Sequence, residues 1–239
     1  MAETPWRKNR RRLLDQPKPV VQRWMQRKVK ILASAAARAI MRWRLPRTER
    51  KRKKALEEAF EVTKYYAAKN EHGGFPAVST LLSIGLYLLL ADRDIQALKI
   101  DALTHPDEWK RKLCARIILL TVYEWDADRV TGRALNDSLE AIQAPEELKR
   151  EATNVLKELR LVQHKIRMQY RFVRNAAIAH RDPNALIQYR AIRDLKVDDV
   201  FAISIEFYAA VERFMAVLTK LMLTSSTMPA LLRQWKPKA

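Results

Sequence analysis

The 239-residue sequence predicts an all-α fold: an antiparallel four-helix up-and-down bundle behind a basic N-terminal extension that is helical or flexible. Three observations lead there. Only four glycines occur against 48% hydrophobic residues, a balance that suits helices with short connections better than strands and turns. Apolar residues recur at steps of three and four over long windows, the period of a helix face. No segment alternates apolar and polar residues in the manner of a half-buried strand.

The elements follow in chain order. Residues 1–54 hold 19 Lys/Arg and three acids (Glu3, Asp15 and Glu49), a net of +16; residues 55–239 hold 27 basic and 24 acidic groups, a net of +3. The runs RKNRRR from Arg7 and RTERKRKK from Arg47 flank Val29 to Trp43, which can form a helix with one apolar face. This extension reads as a solvated arm, a phosphate-neutralising surface or a membrane-surface segment. Residues 55–74 read as a connecting helix broken by Gly73-Gly74 and Pro76. Residues 73–91 carry no charge and approach the length of a membrane span. Pro76, Ser79, Thr80, Ser83 and Gly85 interrupt that stretch, and it runs on as the mixed helix ADRDIQALKIDAL. It is therefore expected to be a buried helix rather than a membrane anchor.

The bundle is expected over residues 75–223. Pro106 sits near the first turn of WKRKLCARIILLTVYEW, which is apolar on most of its surface, as a central helix is. The single cysteine, Cys114, reads as a small buried residue, and one cysteine allows neither an internal disulfide nor a Cys-based zinc cage. DADRVTGRALND reads as a loop or short turn. Pro145 opens a long helix with a seam at Leu148, Ala152, Val155, Leu159, Val162, Ile166, Val173 and Ala177, with one gap near Gln169-Tyr170. Pro183 should stop it close to His180. A last helix starts near Val197-Asp198 with a stripe at Val197, Phe201, Ile205, Tyr208, Val211, Met215, Leu218 and Met222. Residues 224–239 read as a basic tail, with RQWKPKA loose.

The formal net charge of +19 points to a polyanionic partner, nucleic acid first and an anionic membrane second. No secretory leader precedes the basic run, so a cytoplasmic setting is expected. There is no Gly-rich phosphate loop and no Ser/His/Asp arrangement; His105 with Asp101 and Asp107 is too loosely spaced for a metal cluster and reads as a loop. One constellation carries chemistry: Arg174-Asn175-Ala176-Ala177-Ile178-Ala179-His180, at the end of the seam helix. Beside it runs a cationic stripe of Arg160, His164, Arg167, Arg171 and Arg174, with Arg181 one heptad after Arg174. A solvated face explains the stripe equally well, and a helix-end cation explains His180.

An Arg, a polar residue, a few variable residues and a His near the end of a long bundle helix resemble the signature of HEPN domains. The following HRDPNALIQYRAIRDLKVDDV and final amphipathic helix resemble that superfamily too, nearest to the HEPN proteins of abortive-infection phage defence, over roughly residues 75–223. The resemblance implies a four-helix bundle that forms a homodimer, with two motifs meeting in a cleft that cleaves RNA without a metal or other cofactor, and it implies a toxin or defence effector with an antitoxin or other protein partner. His180 would move the proton, Arg174 would stabilise the charged phosphorane, and Asn175 would orient the pair. Glu124 would be the acidic residue that the family often places on an earlier helix. Arg160, His164, Arg167, Arg171 and Arg181 would then contact RNA. Two rival expectations are a non-catalytic HEPN module for RNA binding or dimerisation, and a basic adaptor bound to DNA or membrane.

Overall fold

The computed structural model describes residues 20–72, 74–179 and 182–234. Among these the fold is all-helical, with ten α-helices and no strand. They are α1 (Val20–Thr48), α2 (Arg50–His72), α3 (Pro76–Thr104), α4 (Glu108–Glu124), α5 (Ala127–Val130), α6 (Gly132–Ala141), α7 (Glu146–Val173), α8 (Ala185–Asp194), α9 (Val197–Ser225) and α10 (Met228–Gln234). A π turn, Arg174–Ile178, extends α7. The count exceeds the four helices expected.

The core lies where α3, α4, α7 and α9 pack on one another. Leu81 and Ile84 of α3, Ile118 and Leu119 of α4, Leu159 and Ile166 of α7, and Phe214 and Leu221 of α9 are all almost wholly buried. Each such side chain contributes about 1.5–3 kcal/mol relative to exposure. Trp125 sits at the centre, its ring 5.8 Å from Tyr87 and 5.7 Å from Phe207. From Pro76 onward the uncharged stretch forms the first half of α3, inside this core, and no helix among the described residues is long and apolar enough to cross a membrane. Gly85 lets α9 approach: a Cβ there would stand 3.0 Å from Met222 Cε. Cys114 is buried, and burial raises its thiol pKa.

α7 and α9 run antiparallel, and their ion pairs fix the register. Glu151 meets Lys220 and Glu158 meets Arg213, both at 2.7 Å, and Lys165 meets Glu206. The partners climb one heptad on α7 as they descend one heptad on α9. On α7 the expected seam is largely buried, and the gap near Gln169-Tyr170 is filled by Tyr170 itself. On α9 the expected stripe lies beside the most buried face: Leu218 is buried, and Val197, Phe201, Tyr208, Val211, Met215 and Met222 pack partly buried against the core. Val200, Ile203, Phe207, Ala210, Phe214, Val217 and Leu221 are buried, whereas Ile205 is 66% exposed. Both stripes therefore contact the core, and of the expected one only Ile205 turns to solvent.

Three connections are more ordered than expected. DADRVTGRALND forms α5 and the start of α6: Asp126 Oδ1 caps α5 by accepting from Arg129 N at 3.1 Å, and Gly132 takes a positive φ of 34° between the two helices. Residues 185–194 form α8, capped by Asn184 Oδ1, which accepts from Leu186 N at 3.0 Å. The tail begins as α10: Gln234 is buried and accepts from Val78 N at 3.2 Å, while Arg233 donates to Ile142 O at 3.1 Å. The caps of α5 and α8 are local, whereas α10 needs partners distant in sequence.

The extension also docks. α2 packs along α3, and the 54/55 boundary read from charge falls inside α2. Lys99 pairs with Glu49 at 2.7 Å, Arg42 lies 3.9 Å from Asp101, and the Arg93 guanidinium lies 4.9 Å from the Phe60 ring. Pro46 falls in the last turn of α1, and Glu49 N still donates to Leu45 O at 2.9 Å across the step into α2.

Candidate functional site

The site begins with how α4 ends. Trp125, the first residue past α4, is buried, and its carbonyl accepts a hydrogen bond from the buried Gln163 Nε2 of α7. That contact satisfies a carbonyl at a helix terminus where intrahelical partners run out. It also holds the neighbouring Glu124 against the same helix one surface over. A carboxylate in the last turn of a helix faces the negative end of the macrodipole and needs a cation nearby.

Arg174 supplies that cation. Its Nε and Nη2 donate to Glu124 Oε1 at 2.8 and 2.7 Å, and its Nη1 donates to Asn175 Oδ1 at 3.1 Å. Its guanidinium carbon also lies 5.5 Å from the centre of the Tyr123 ring. The Arg174 side chain is 21% exposed and that of Glu124 48%, so the pair opens to solvent on the carboxylate side. Three of the four candidate catalytic residues therefore meet within hydrogen-bond distance. The fourth, His180, lies outside the described residues, as does Arg181.

The π turn reshapes the helix through the motif. Ala179 N donates to Arg174 O at 2.9 Å, a five-residue step, and Asp182 N donates to Ala176 O at 3.0 Å. Widened turns of this kind recur at functional sites. Ala176 and Ala177 are buried against Ala191 and Ile192 of α8, whose approach needs small residues there. Arg116 Nη1 donates to Ala177 O at 3.2 Å, which places a cation from α4 on a carbonyl at the helix end.

The cationic stripe is matched by acids. Arg160 donates to Asp128 at 2.7 Å and Arg167 to Asp126 at 3.2 Å. With Arg174 on Glu124 these pairs form a second ladder, in which each heptad along α7 meets every second residue from Asp128 back to Glu124. Hydrogen bonds from the Arg129 backbone and from Arg167 hold the Asp126 carboxyl below its usual pKa against the opposing effect of burial. His164 and Arg171 stand exposed on the solvent side of α7. His105, Asp101 and Asp107 serve a turn: His105 Nδ1 accepts from Asp107 N at 3.1 Å, Asp107 caps α4, and Asp101 lies 3.4 Å from Lys110. Among the described residues no group of three or more His, Cys, Asp or Glu side chains is placed to hold a metal ion.

Sequence reasoning missed the π turn, Arg116, Tyr123 and the positioning residue Gln163. Gln163 alone carried a signal, as a polar residue on the apolar side of the α7 seam. No family model, no curated protein and no solved structure matches the chain.

Proposed function

We propose that this chain is a HEPN-type endoribonuclease whose four long helices form the bundle of that superfamily, acting as a toxin or phage-defence effector. The observation that carries the reading is the Arg174–Glu124–Asn175 cluster, assembled from the ends of two helices immediately before His180. In this chemistry a ribose 2′-hydroxyl attacks the adjacent phosphorus and its proton passes to a base. The P–O5′ bond breaks, leaving a 2′,3′-cyclic phosphate and a protonated 5′-hydroxyl. His180 moves the proton, since an imidazole titrates near neutrality. Arg174 presents its fork of N–H donors to the phosphorane oxygens. Glu124 and Asn175 orient the guanidinium, and no metal or other cofactor takes part.

Two copies bring two motifs into one cleft in this proposal. Support comes from Met168 and Phe172, large apolar side chains that are 69% and 63% exposed in the last turns of α7. A non-catalytic RNA-binding or dimerisation module is the second reading. It is favoured by the pairing of Arg160, Arg167 and Arg174 with acids, which a purely structural zipper would also show.

The test is incubation of purified protein with total RNA in excess chelator, scored for 2′,3′-cyclic ends, alongside His180→Ala. Cleavage by wild type and none by the variant is expected. Equal cleavage by both would refute the nuclease reading, and no cleavage by either would favour the module.

A further inference from the structure

Two large clefts among the described residues, 670 and 610 Å³, lie along α1 and α2 rather than at Arg174. The larger is a groove between the start of α2 and the middle of α3, with Arg50, Lys53 and Lys54 on one wall and Arg93 and Lys99 on the other; Glu49 and Glu57 line it too, and Lys53 and Lys54 lie 3.9 and 3.6 Å from Glu57 and Glu58. Residues 38–54 hold nine Lys/Arg and a single acid, Glu49, which Lys99 occupies at 2.7 Å. Arg44, Arg47, Arg50 and Lys51 are exposed and have no acid within ion-pair distance among the described residues. One turn before the groove, Trp43 is 61% exposed and the Arg47 guanidinium stacks 3.7 Å from its ring centre.

We infer that this groove and Trp43 form a binding track for single-stranded RNA, remote from the proposed cleavage site. Arg50 and Arg93 in the groove, with Arg44, Arg47 and Lys51 beside it, have no acid within ion-pair distance among the described residues, and such a row of cations suits a backbone of regularly spaced phosphates. An exposed indole backed by an arginine is a platform on which a base can stack, which single-stranded sites use without regard to sequence. A duplex keeps its bases stacked on one another and gains nothing from the indole. Basic residues beside the exposed Ile40, Met41 and Trp43 would also suit an anionic bilayer, but a flat surface cannot enter the concave groove that a single strand can follow. Naming RNA rather than DNA rests on the proposed cleavage chemistry; the surface itself selects a single-stranded polyanion.

The experiment measures binding alone, with the full chain and labelled 2′-O-methyl oligouridine, which has no 2′-hydroxyl to attack. Arg47→Gln/Arg50→Gln/Lys54→Gln should lower the slope of log K against log salt by about two, at ~0.7 for each phosphate that is no longer neutralised. Trp43→Ala should weaken single-strand binding by about 10-fold and leave duplex binding unchanged. Arg129→Gln/Arg133→Gln/Arg150→Gln, exposed cations elsewhere on the surface, should leave the slope nearly intact. Equal losses from the two triple variants would reduce the effect to net charge and overturn the track. Phosphatidylserine vesicles bound through the same three cations, with RNA binding unaffected, would overturn it in favour of a membrane. Since the probe cannot be cleaved, failure here leaves the Arg174 site untouched, and failure of cleavage leaves the track untouched.

Discussion

Replacing Arg174 by alanine separates structure from chemistry more sharply than any other single change. The stability cost can be worked from its contacts. The ion pair with Glu124 is half open to water, so it is worth about 0.2–1 kcal/mol. The guanidinium above Tyr123 adds about 0.5–1 kcal/mol at a site of this exposure. A loss near 1 kcal/mol lowers Tm by about 2–4 °C for a chain of this size. Removing the charge that faces a phosphorane should instead lower the cleavage rate by about 10²–10³-fold. Arg174→Lys sharpens the test: it keeps the charge but not the fork of donors to Glu124 and Asn175, so most of the rate should still be lost. RNA cleavage under single-turnover conditions and a thermal melt of the same samples read both effects. Variants that cleave at the wild-type rate, with Tm displaced as calculated, would show Arg174 to be a structural ion pair and nothing more.

Three further predictions concern the scaffold. Trp125→Ala should cost about 3–5 kcal/mol by denaturant melts, whereas Trp125→Phe should cost far less, because it also removes a buried indole N–H with no partner among the described residues. Asp126→Asn should remove most of one step of acid destabilisation: the depressed Asp126 carboxyl contributes stability above its unfolded pKa that is lost as pH falls through the folded value, so wild type and variant should converge in acid melts. Glu151→Lys/Glu158→Lys should destabilise the α7–α9 seam by about 1 kcal/mol at low salt and be rescued by Lys220→Glu/Arg213→Glu; absence of rescue would refute the register.

The legible parts of the fold are those dictated by local period and by proline. α7 begins after Pro145 and ends in a π turn five residues before Pro183, and α9 begins at Val197, because helix boundaries are set by residues at the boundary. The Arg174/Asn175 pair was legible as chemistry, and Glu124 through the resemblance. What was not legible depends on partners distant in sequence. α10 is held by Val78 and Ile142, and Gln163 has its role only because α4 stops at Trp125. On α9 only Ile205 departs from the expected burial. Two adjacent apolar stripes both pack on the core there, so hydrophobic period alone leaves the rotation under-determined.

α7 explains why a structural helix and a candidate site coincide. Its heptad repeats on two flanks at once: residues 151, 158 and 165 answer α9, while residues 160, 167 and 174 answer the segment 124–128. Pairs on both flanks oppose rotation of α7 about its own axis, since turning either way separates one ladder. Gln163, buried between the flanks, ties the same helix to the end of α4 through a backbone carbonyl, which a sliding helix would lose. Rotation and translation are thus both resisted at the level of Arg174. The π turn, Arg174–Ile178, begins where these constraints end. A guanidinium fixed in this way is pre-organised, so little rotamer freedom remains to be lost in the proposed chemistry, where a phosphate would compete with Glu124 for the same donors.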